Sequence, residues 1–337
     1  RDFSIALFFQ YSYSTNLNMR DLERNDLELL SQHSDISKVE LQKTLEEEIY
    51  PDQDSWATFI KITLITLGVG FMAAGIIFFF AYNWDDLGKF AKLGIVQGLV
   101  ILVTILALVL KIDTIYRNII LTGSAILVGV MFAVFGQVYQ TGANAYDFFL
   151  AWTVFITLWV LISNFPPLWL LYLFLSNLTI YLYWDQVAKH WDFIYLTAGL
   201  FVLNASVVVL CTWINDQKKG NIPLYFINII SIGAVIWGTY CNLYWILDGK
   251  ASFAPVIIFA TILFYGLGLW HGIRNRSIFY MGLLPFSIVI ILSGAILKAM
   301  ESYEETGIFL VGLFIVTSVS LIIWNLIKIQ RRVKHGN

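Results

Sequence analysis

The sequence predicts an all-α integral membrane protein with about ten transmembrane helices. Of the 337 residues, 58% are hydrophobic and only 13% are charged, and the mean hydropathy is +0.73. Apolar runs of about 20 residues, long enough to cross a bilayer core as a helix, recur from Ala57 almost to the C-terminus. A soluble protein could not bury this much apolar surface, so the bilayer is the expected partner of most of the chain.

The residues before the first apolar run have a different character. Residues 1–18 precede the first methionine and contain no signal-peptide pattern, so we expect a non-native or disordered prefix. Residues 19–56 are charged and carry leucines at near-helical spacing, and Ser37 with Glu40 forms a capping box. This segment predicts a short cytoplasmic helical head, to which another protein could dock.

The apolar runs define a transmembrane domain over residues 57–329, followed by a basic cytoplasmic tail at 330–337. The predicted spans are 57–82, 90–110, 116–136, 148–163, 167–184, 191–214, 223–247, 253–270, 277–299 and 306–329. One alternative stays open around Phe165-Pro166-Pro167, where a single re-entrant hairpin could replace two crossings.

The distribution of Lys and Arg predicts the orientation of the domain. After residue 18, the loops on the side opposite the N-terminus hold only Lys89, Lys92, Lys189, Lys250 and Lys298. All other Lys and Arg residues fall on the side of the N-terminus. Because short cytoplasmic loops are rich in these residues, both termini are predicted to be cytoplasmic in a cell inner (plasma) membrane.

Three landmarks recur at a nearly constant offset in the second half of the chain and suggest an internal repeat. They pair Trp84-Asp85-Asp86 with Trp184-Asp185-Gln186, Phe135-Gly136-Gln137 with Trp237-Gly238-Thr239, and Asp147 with Asp248. This pattern predicts two parallel four-helix repeats, residues 57–163 and 167–270, followed by two helices. The alternative is coincidence in a chain rich in Trp, Tyr and Gly.

Polar groups within the predicted spans are uncharged and few. Gln97, Asn177, Asn204 and Asn228 can hydrogen-bond between helices or line a polar pathway, and the first role is the more common one. Small residues that would let helices pack closely are Gly70 with Ala74, Gly94 with Gly98, and Ala125 with Gly129. Charges are absent at mid-membrane depth, which argues against a proton-coupled pump or a voltage sensor.

The composition excludes several other classes. A net charge of −2 gives no reason to expect nucleic acid as a partner. Cys211 and Cys241 are isolated in apolar runs, and no His has a partner at metal-ligand spacing, so neither a metal nor another cofactor is predicted. No sequence motif of a hydrolase, metalloprotease or nucleotide-binding site is present, and no catalytic residue is assigned.

Two predicted outer loops hold the candidate functional residues. Asn83–Lys89 contains paired carboxylates beside an aromatic residue, and Phe135–Asp147 is expected to break a helix at the membrane surface. The second loop has more hydrogen-bonding groups than a connector needs, which predicts a polar mouth or an ordered turn. The candidate substrate-binding residues are Trp84, Asp85, Asp86, Gln137, Tyr139, Gln140, Asn144, Tyr146 and Asp147.

These same segments resemble the prokaryotic membrane-protein family called domain of unknown function 2157. The resemblance is carried by Ile36-Ser37 in the head, by Phe80-Ala81-Tyr82-Asn83-Trp84-Asp85-Asp86-Leu87, and by Gly136-Gln137-Val138-Tyr139-Gln140-Thr141-Gly142-Ala143 with Tyr146, Phe149 and Trp152. It covers about residues 20–165 and implies a bacterial multi-span protein. No activity or catalytic residue is implied by the family.

The sequence supports three hypotheses about function. The first is a non-enzymatic transporter or flippase for a small molecule or lipid-linked substrate, with a polar mouth at the outer face. The second is an enzyme that acts on a lipid-linked or envelope substrate through Asp85 and Asp86. The third is a structural or sensory membrane protein with a protein partner at the head; homo-oligomers are compatible with each hypothesis.

Overall fold

A computed structural model describes residues 53–82, 86–140, 142–217, 222–248 and 254–334. The predicted prefix and nearly all of the predicted head lie outside these residues. The described residues divide into two compact units, one with residues 53–67 and 331–334, and the other with the described residues of 68–330. The helices and contacts that form the candidate site belong to the second unit.

The described residues form ten α-helices and no strand, which confirms the predicted fold class. The helices are α1 (Gln53–Tyr82), α2 (Lys89–Val109), α3 (Thr114–Tyr139), α4 (Ala145–Ser163), α5 (Pro166–Gln186), α6 (Phe193–Asp216), α7 (Leu224–Asp248), α8 (Ala254–Arg274), α9 (Ile278–Ala299) and α10 (Glu304–Lys334). Each contains a segment that is long and apolar enough to cross a membrane. Each predicted span corresponds to one helix.

Two helices, rather than one re-entrant hairpin, flank the Phe165-Pro166-Pro167 segment. Helix α4 ends at Asn164, which adopts a left-handed conformation with φ 44° and donates its N–H to Val160 O at 3.1 Å. Helix α5 then starts with the two prolines, whose missing N–H groups are tolerated in a first turn. Both helices have the length and composition of a membrane span.

The predicted break from Phe135 to Asp147 is wrong over most of its length. Helix α3 continues through Tyr139 and ends at Gln140, whose φ is 44°, and α4 already begins at Ala145. The unfavourable helix propensity of glycine at position 136 is about 1 kcal/mol. At the membrane surface, the loss of backbone hydrogen bonds within the helix costs more free energy than this glycine penalty. The helix therefore continues through Gly136 to Tyr139.

From α2 to α9, helices that follow each other in the sequence pack against each other, most extensively α6 with α7, α2 with α3, and α4 with α5. Helix α7 also packs against α9. A first apolar cluster contains side chains from each of the five helices α1, α2, α3, α4 and α5. Its buried residues include Phe80, Val96, Val128, Ile156, Leu168 and Leu175. Smaller clusters join α6, α7, α8 and α9. Apolar side chains also cover the outside of the helices, which suits contact with lipid.

The predicted roles of the small and polar residues in the spans are confirmed only in part. Asn177 and Asn204 hydrogen-bond to each other across α5 and α6, and Trp152 packs on Gly129. The other predicted close contacts are wrong for the described part of the chain, because Gly70, Gly94 and Gly98 each have open space where a Cβ would lie. Gln97 is exposed, and Asn228 is half-buried.

The landmarks of the proposed repeat do not occupy equivalent places. Gly136 lies in the last turn of α3, whereas Gly238 lies near the middle of α7. Asp147 is in the first turn of α4, but Asp248 is the last residue of α7. Trp84 and Asp85 are outside the described residues. The parallel four-helix repeat therefore stays a prediction. The landmark residues do not support the alignment of the two halves from which it was inferred.

Candidate functional site

A polar cavity lies where α2 begins and α3 ends, at what we call the cavity end of the helices. Its volume is about 250 Å³, and it is lined by Lys89, Lys92, Gln137, Val138, Tyr139 and Gln140. Three of the predicted mouth residues, the two glutamines and the tyrosine, therefore share one cavity. They come together with two lysines that are distant from them in the sequence.

The helical register explains how these side chains meet. Lys89 is the first residue of α2 and Lys92 lies three positions later, so both are on one face of the helix. Gln137 and Gln140 have the same spacing at the end of α3, and Gln140 closes that helix in a left-handed conformation. Extensive packing of α2 on α3 brings the two faces together.

Two of the described residues that line the cavity are lysines, and they differ in exposure. Lys89 is exposed at the cavity end, whereas Lys92 is only 8% exposed. Neither aspartate nor glutamate is among the described residues that line the cavity. The first turn of α2 adds the positive end of a helix dipole to the two ammonium groups.

The remaining candidate residues of the second loop lie at the start of α4 and have structural roles there. The Asp147 carboxylate accepts the backbone N–H of Asn144 at 3.1 Å, as an acid in the first turn of a capped helix does. The backbone N–H of Tyr146 donates to Gln186 Oε1 at 3.0 Å. The ring of Tyr146 contacts the ring of Tyr183 edge-on, with 5.3 Å between the ring centroids. These contacts connect the start of α4 to the end of α5.

The two candidate aspartates that the structure describes, Asp86 and Asp147, are not among the residues that line the cavity. Asp86 is exposed in the turn before α2, and Asp147 caps α4; neither lines the cavity. Trp84 and Asp85 lie outside the described residues. A carboxylate at the end of an apolar span satisfies backbone N–H groups of a helix start, and this local demand explains the position of Asp147.

Lys89 and Lys92 are the residues that sequence reasoning missed. In the prediction from sequence, both are only cations of the outer face. A usable signal was present in the sequence. Two of the five lysines on that face fall at the start of one apolar span, three residues apart, where both can point to the same neighbour.

Aromatic side chains form a second group at the cavity end. The indole N–H of Trp184 donates to Trp191 O at 3.0 Å, and its ring lies 4.9 Å from that of Phe193. Phe193 in turn contacts Tyr240 and Tyr244 of α7. Amphipathic aromatic rings are enriched where helices leave the bilayer, which accounts for this group without a ligand.

The comparison with protein families agrees with the resemblance found in the sequence. Residues 31–169 match the family described as "Predicted membrane protein (DUF2157)". This match includes the whole of α1 to α4 and the start of α5, and it therefore includes every residue that lines the cavity. No curated protein and no solved structure matches the chain.

Proposed function

We propose that the protein is a non-enzymatic transporter or flippase that receives a small molecule or lipid-linked substrate at the cavity. The observation that carries this proposal is the common cavity of Gln137, Tyr139 and Gln140 with Lys89 and Lys92. Polar side chains at the end of a membrane helix are costly unless they face protein or water. Water in the cavity can hydrogen-bond to these side chains when no ligand is bound, and a polar ligand can do so when it is bound.

The positions of the carboxylates favour this proposal over an enzyme. An enzyme of the predicted type would use an acidic pair in the first outer loop, close to the polar mouth. Asp86 does not line the cavity, and Asp147 is engaged at the start of α4. The described residues that do line it can bind and orient a ligand through ammonium, amide and phenol groups, and none of them is a carboxylate.

We further propose that the cavity end is the outer face of a bacterial inner membrane and that both termini are cytoplasmic. The support is the low number of lysines and arginines in the loops at this end. The structural or sensory alternative, with a protein partner at the head, concerns residues outside the described part of the chain. Its test is whether a protein partner requires residues 19–56.

Lipid flipping by the purified protein tests the proposal. Vesicles with the full chain and a fluorescent phospholipid are treated with dithionite, which bleaches only the outer leaflet. Since a flippase exchanges lipid between leaflets, we expect bleaching beyond that of protein-free vesicles. The variant Q137A should reduce the exchange rate at least fivefold, because it removes an amide from the cavity.

The matched control is Q97A, which removes the same group from an exposed position of α2 outside the cavity. It should retain the exchange rate of the unmodified protein, and both variants should be expressed and folded at similar levels. Bleaching equal to that of protein-free vesicles would refute flipping. Equal lipid exchange rates in Q137A and Q97A would show that the cavity takes no part in lipid exchange.

A further inference from the structure

We infer that the ends of α8 and α10 form a binding surface for the headgroup of an anionic phospholipid. The surface consists of two aromatic–cation pairs, Trp270 with Arg274 and Trp324 with Lys328, and we call it the basic surface. It lies at the end of the helices opposite to the cavity. The inference goes beyond the proposed function, because it concerns a second site and requires no transport.

The two pairs have the same local geometry. In each helix the cation follows the indole by four residues, so both side chains lie on one face. The guanidinium carbon of Arg274 lies 5.3 Å from the centre of the Trp270 ring, and Lys328 Nζ lies 5.0 Å from that of Trp324. Both indoles are 58% exposed, and both cations are exposed as well. One arrangement therefore recurs on two helices that are not consecutive in the sequence.

Contacts with the start of α9 bring the two pairs into one region. A Cβ at Gly272, two residues before the cation of α8, would lie 3.0 Å from Tyr280 Cβ. A Cβ at Gly282 would lie 3.6 Å from Leu326 Cδ1, and Leu326 is two residues before the cation of α10. Helices α8 and α10 therefore both contact the first two turns of α9, close to their own cations.

The described residues provide the two cations with aromatic partners but with no carboxylate. Arg274 and Lys328 contact indoles, which carry no net charge, and neither forms an ion pair with a described Asp or Glu. The sequence itself has no Asp or Glu from 249 to 300 or from 306 to 337, which includes the residues after α10. Further cations in these two stretches are Arg276, Lys298, Arg331, Arg332 and Lys334, besides Lys250.

The position of the charges at the membrane favours a phospholipid as the partner. Indole rings at helix ends lie where the hydrocarbon core meets the headgroups. A cation that is held on such a ring lies in the headgroup layer, where it is attracted to anionic lipids. Contact with the ring also limits the conformations of the cation before it binds, which lowers the entropic cost of binding. Phosphatidylcholine carries its own cation, so the surface favours a headgroup with a net negative charge, such as phosphatidylglycerol.

Thermal unfolding of the detergent-solubilised full chain tests this inference. The mixed micelles contain either phosphatidylglycerol or phosphatidylcholine with the same acyl chains, and a third sample has phosphatidylcholine with soluble glycerol 1-phosphate. Because a ligand of the folded state raises its stability, we expect a higher unfolding temperature in phosphatidylglycerol than in phosphatidylcholine. Glycerol 1-phosphate should not change the unfolding temperature, since it lacks the acyl chains that keep a headgroup at the surface.

The critical variants are R274Q and K328Q, which each remove one charge of the basic surface. The matched control is K111Q, because Lys111 is an exposed lysine at the same end of the helices but lies between α2 and α3. We expect R274Q and K328Q each to bind phosphatidylglycerol about fivefold more weakly, equivalent to about 1 kcal/mol. K111Q should bind it as the unmodified protein does. All three positions are exposed, and unfolding in phosphatidylcholine verifies that each variant is folded.

Equal unfolding temperatures in the two lipids would overturn the inference, and this result is expected if the acidic segment of residues 19–56 covers the basic surface. Equal stabilisation by glycerol 1-phosphate and phosphatidylglycerol would overturn it in favour of soluble phosphate. Equal binding by R274Q, K328Q and K111Q would overturn it by placing the lipid elsewhere on the protein. None of these measurements involves lipid exchange between leaflets, so their failure would leave the proposed function intact.

Discussion

Asn177 and Asn204 form a reciprocal pair of hydrogen bonds between the membrane-spanning helices α5 and α6. The Nδ2 of Asn204 donates to Asn177 Oδ1 at 2.6 Å, and the Nδ2 of Asn177 donates to Asn204 Oδ1 at 3.3 Å. Each amide also donates to a carbonyl one turn earlier in its own helix. Within a bilayer no water would replace a lost partner, so the pair stabilises the contact between α5 and α6.

We predict that N177L and N204L each destabilise the protein and that their effects are not additive. The double variant N177L/N204L should be less destabilised than the sum of the single variants, with a coupling of about 0.6–2 kcal/mol. The free energy of unfolding can be measured in micelles with increasing dodecyl sulfate. Additive effects would show that the two amides stabilise the fold independently.

A control for this cycle is S206A on the same helix α6. Ser206 is exposed, and its hydroxyl donates within its own helix to Leu203 O at 2.8 Å. Its removal affects no contact between helices, so we expect a change of at most about 0.5 kcal/mol.

The contact between α3 and α4 depends on a small residue facing a large one. The indole of Trp152 donates to Ala125 O at 2.8 Å, and this hydrogen bond holds the ring over Gly129. A Cβ at position 129 would lie 2.5 Å from the ring. Close packing in membranes relies on such small residues because lipid provides no hydrophobic drive for helix association.

We predict that G129A lowers the free energy of unfolding by about 1–3 kcal/mol, the usual range for an overpacked core. The ring cannot move away without loss of its hydrogen bond to Ala125. The matched control is G98A on α2, where a Cβ would meet nothing within 4 Å. G98A should be neutral or slightly stabilising, since alanine favours helix more than glycine does. Equal destabilisation by both variants would contradict this account.

Successive helices of the unit formed by residues 68–330 run in alternating directions. Because short loops connect successive helices, the ends of the odd-numbered helices and the starts of the even-numbered ones share one side. Contacts of Phe193 at the start of α6 with Tyr244 near the end of α7 agree with this arrangement. At the opposite end, Asn215 of α6 hydrogen-bonds to the backbone of Ile222 before α7.

Cysteine labelling of intact cells tests the orientation of these ends. We predict that a membrane-impermeant maleimide labels K189C, at the cavity end, without permeabilisation, and labels N275C only after it. Both positions are exposed, and the native Cys211 and Cys241 are buried and can be replaced by alanine. The reverse pattern would place the cavity on the cytoplasmic face and would refute the proposed outer mouth.

The spans were predictable because the requirement for crossing a membrane is local. A run of about 20 apolar residues satisfies it without reference to any other part of the chain. Helix ends were less predictable: the composition of residues 135–139 favours a break, yet the backbone hydrogen bonds of α3 continue through Tyr139. The surplus of hydrogen-bonding groups in this segment marks Gln137, Tyr139 and Gln140 as candidate residues, and the structure places all three around one cavity.

Which charged residues line the cavity could not be predicted from the sequence. Carboxylates close to the mouth in the chain were expected to line it, but Asp147 caps α4, whereas Lys89 and Lys92 line the cavity. Which side chains meet depends on how each helix is rotated about its axis, and contacts between distant residues, such as Trp152 with Gly129, set that rotation. Hydrophobic length therefore determines the number of spans, while packing between helices determines which side chains line the cavity.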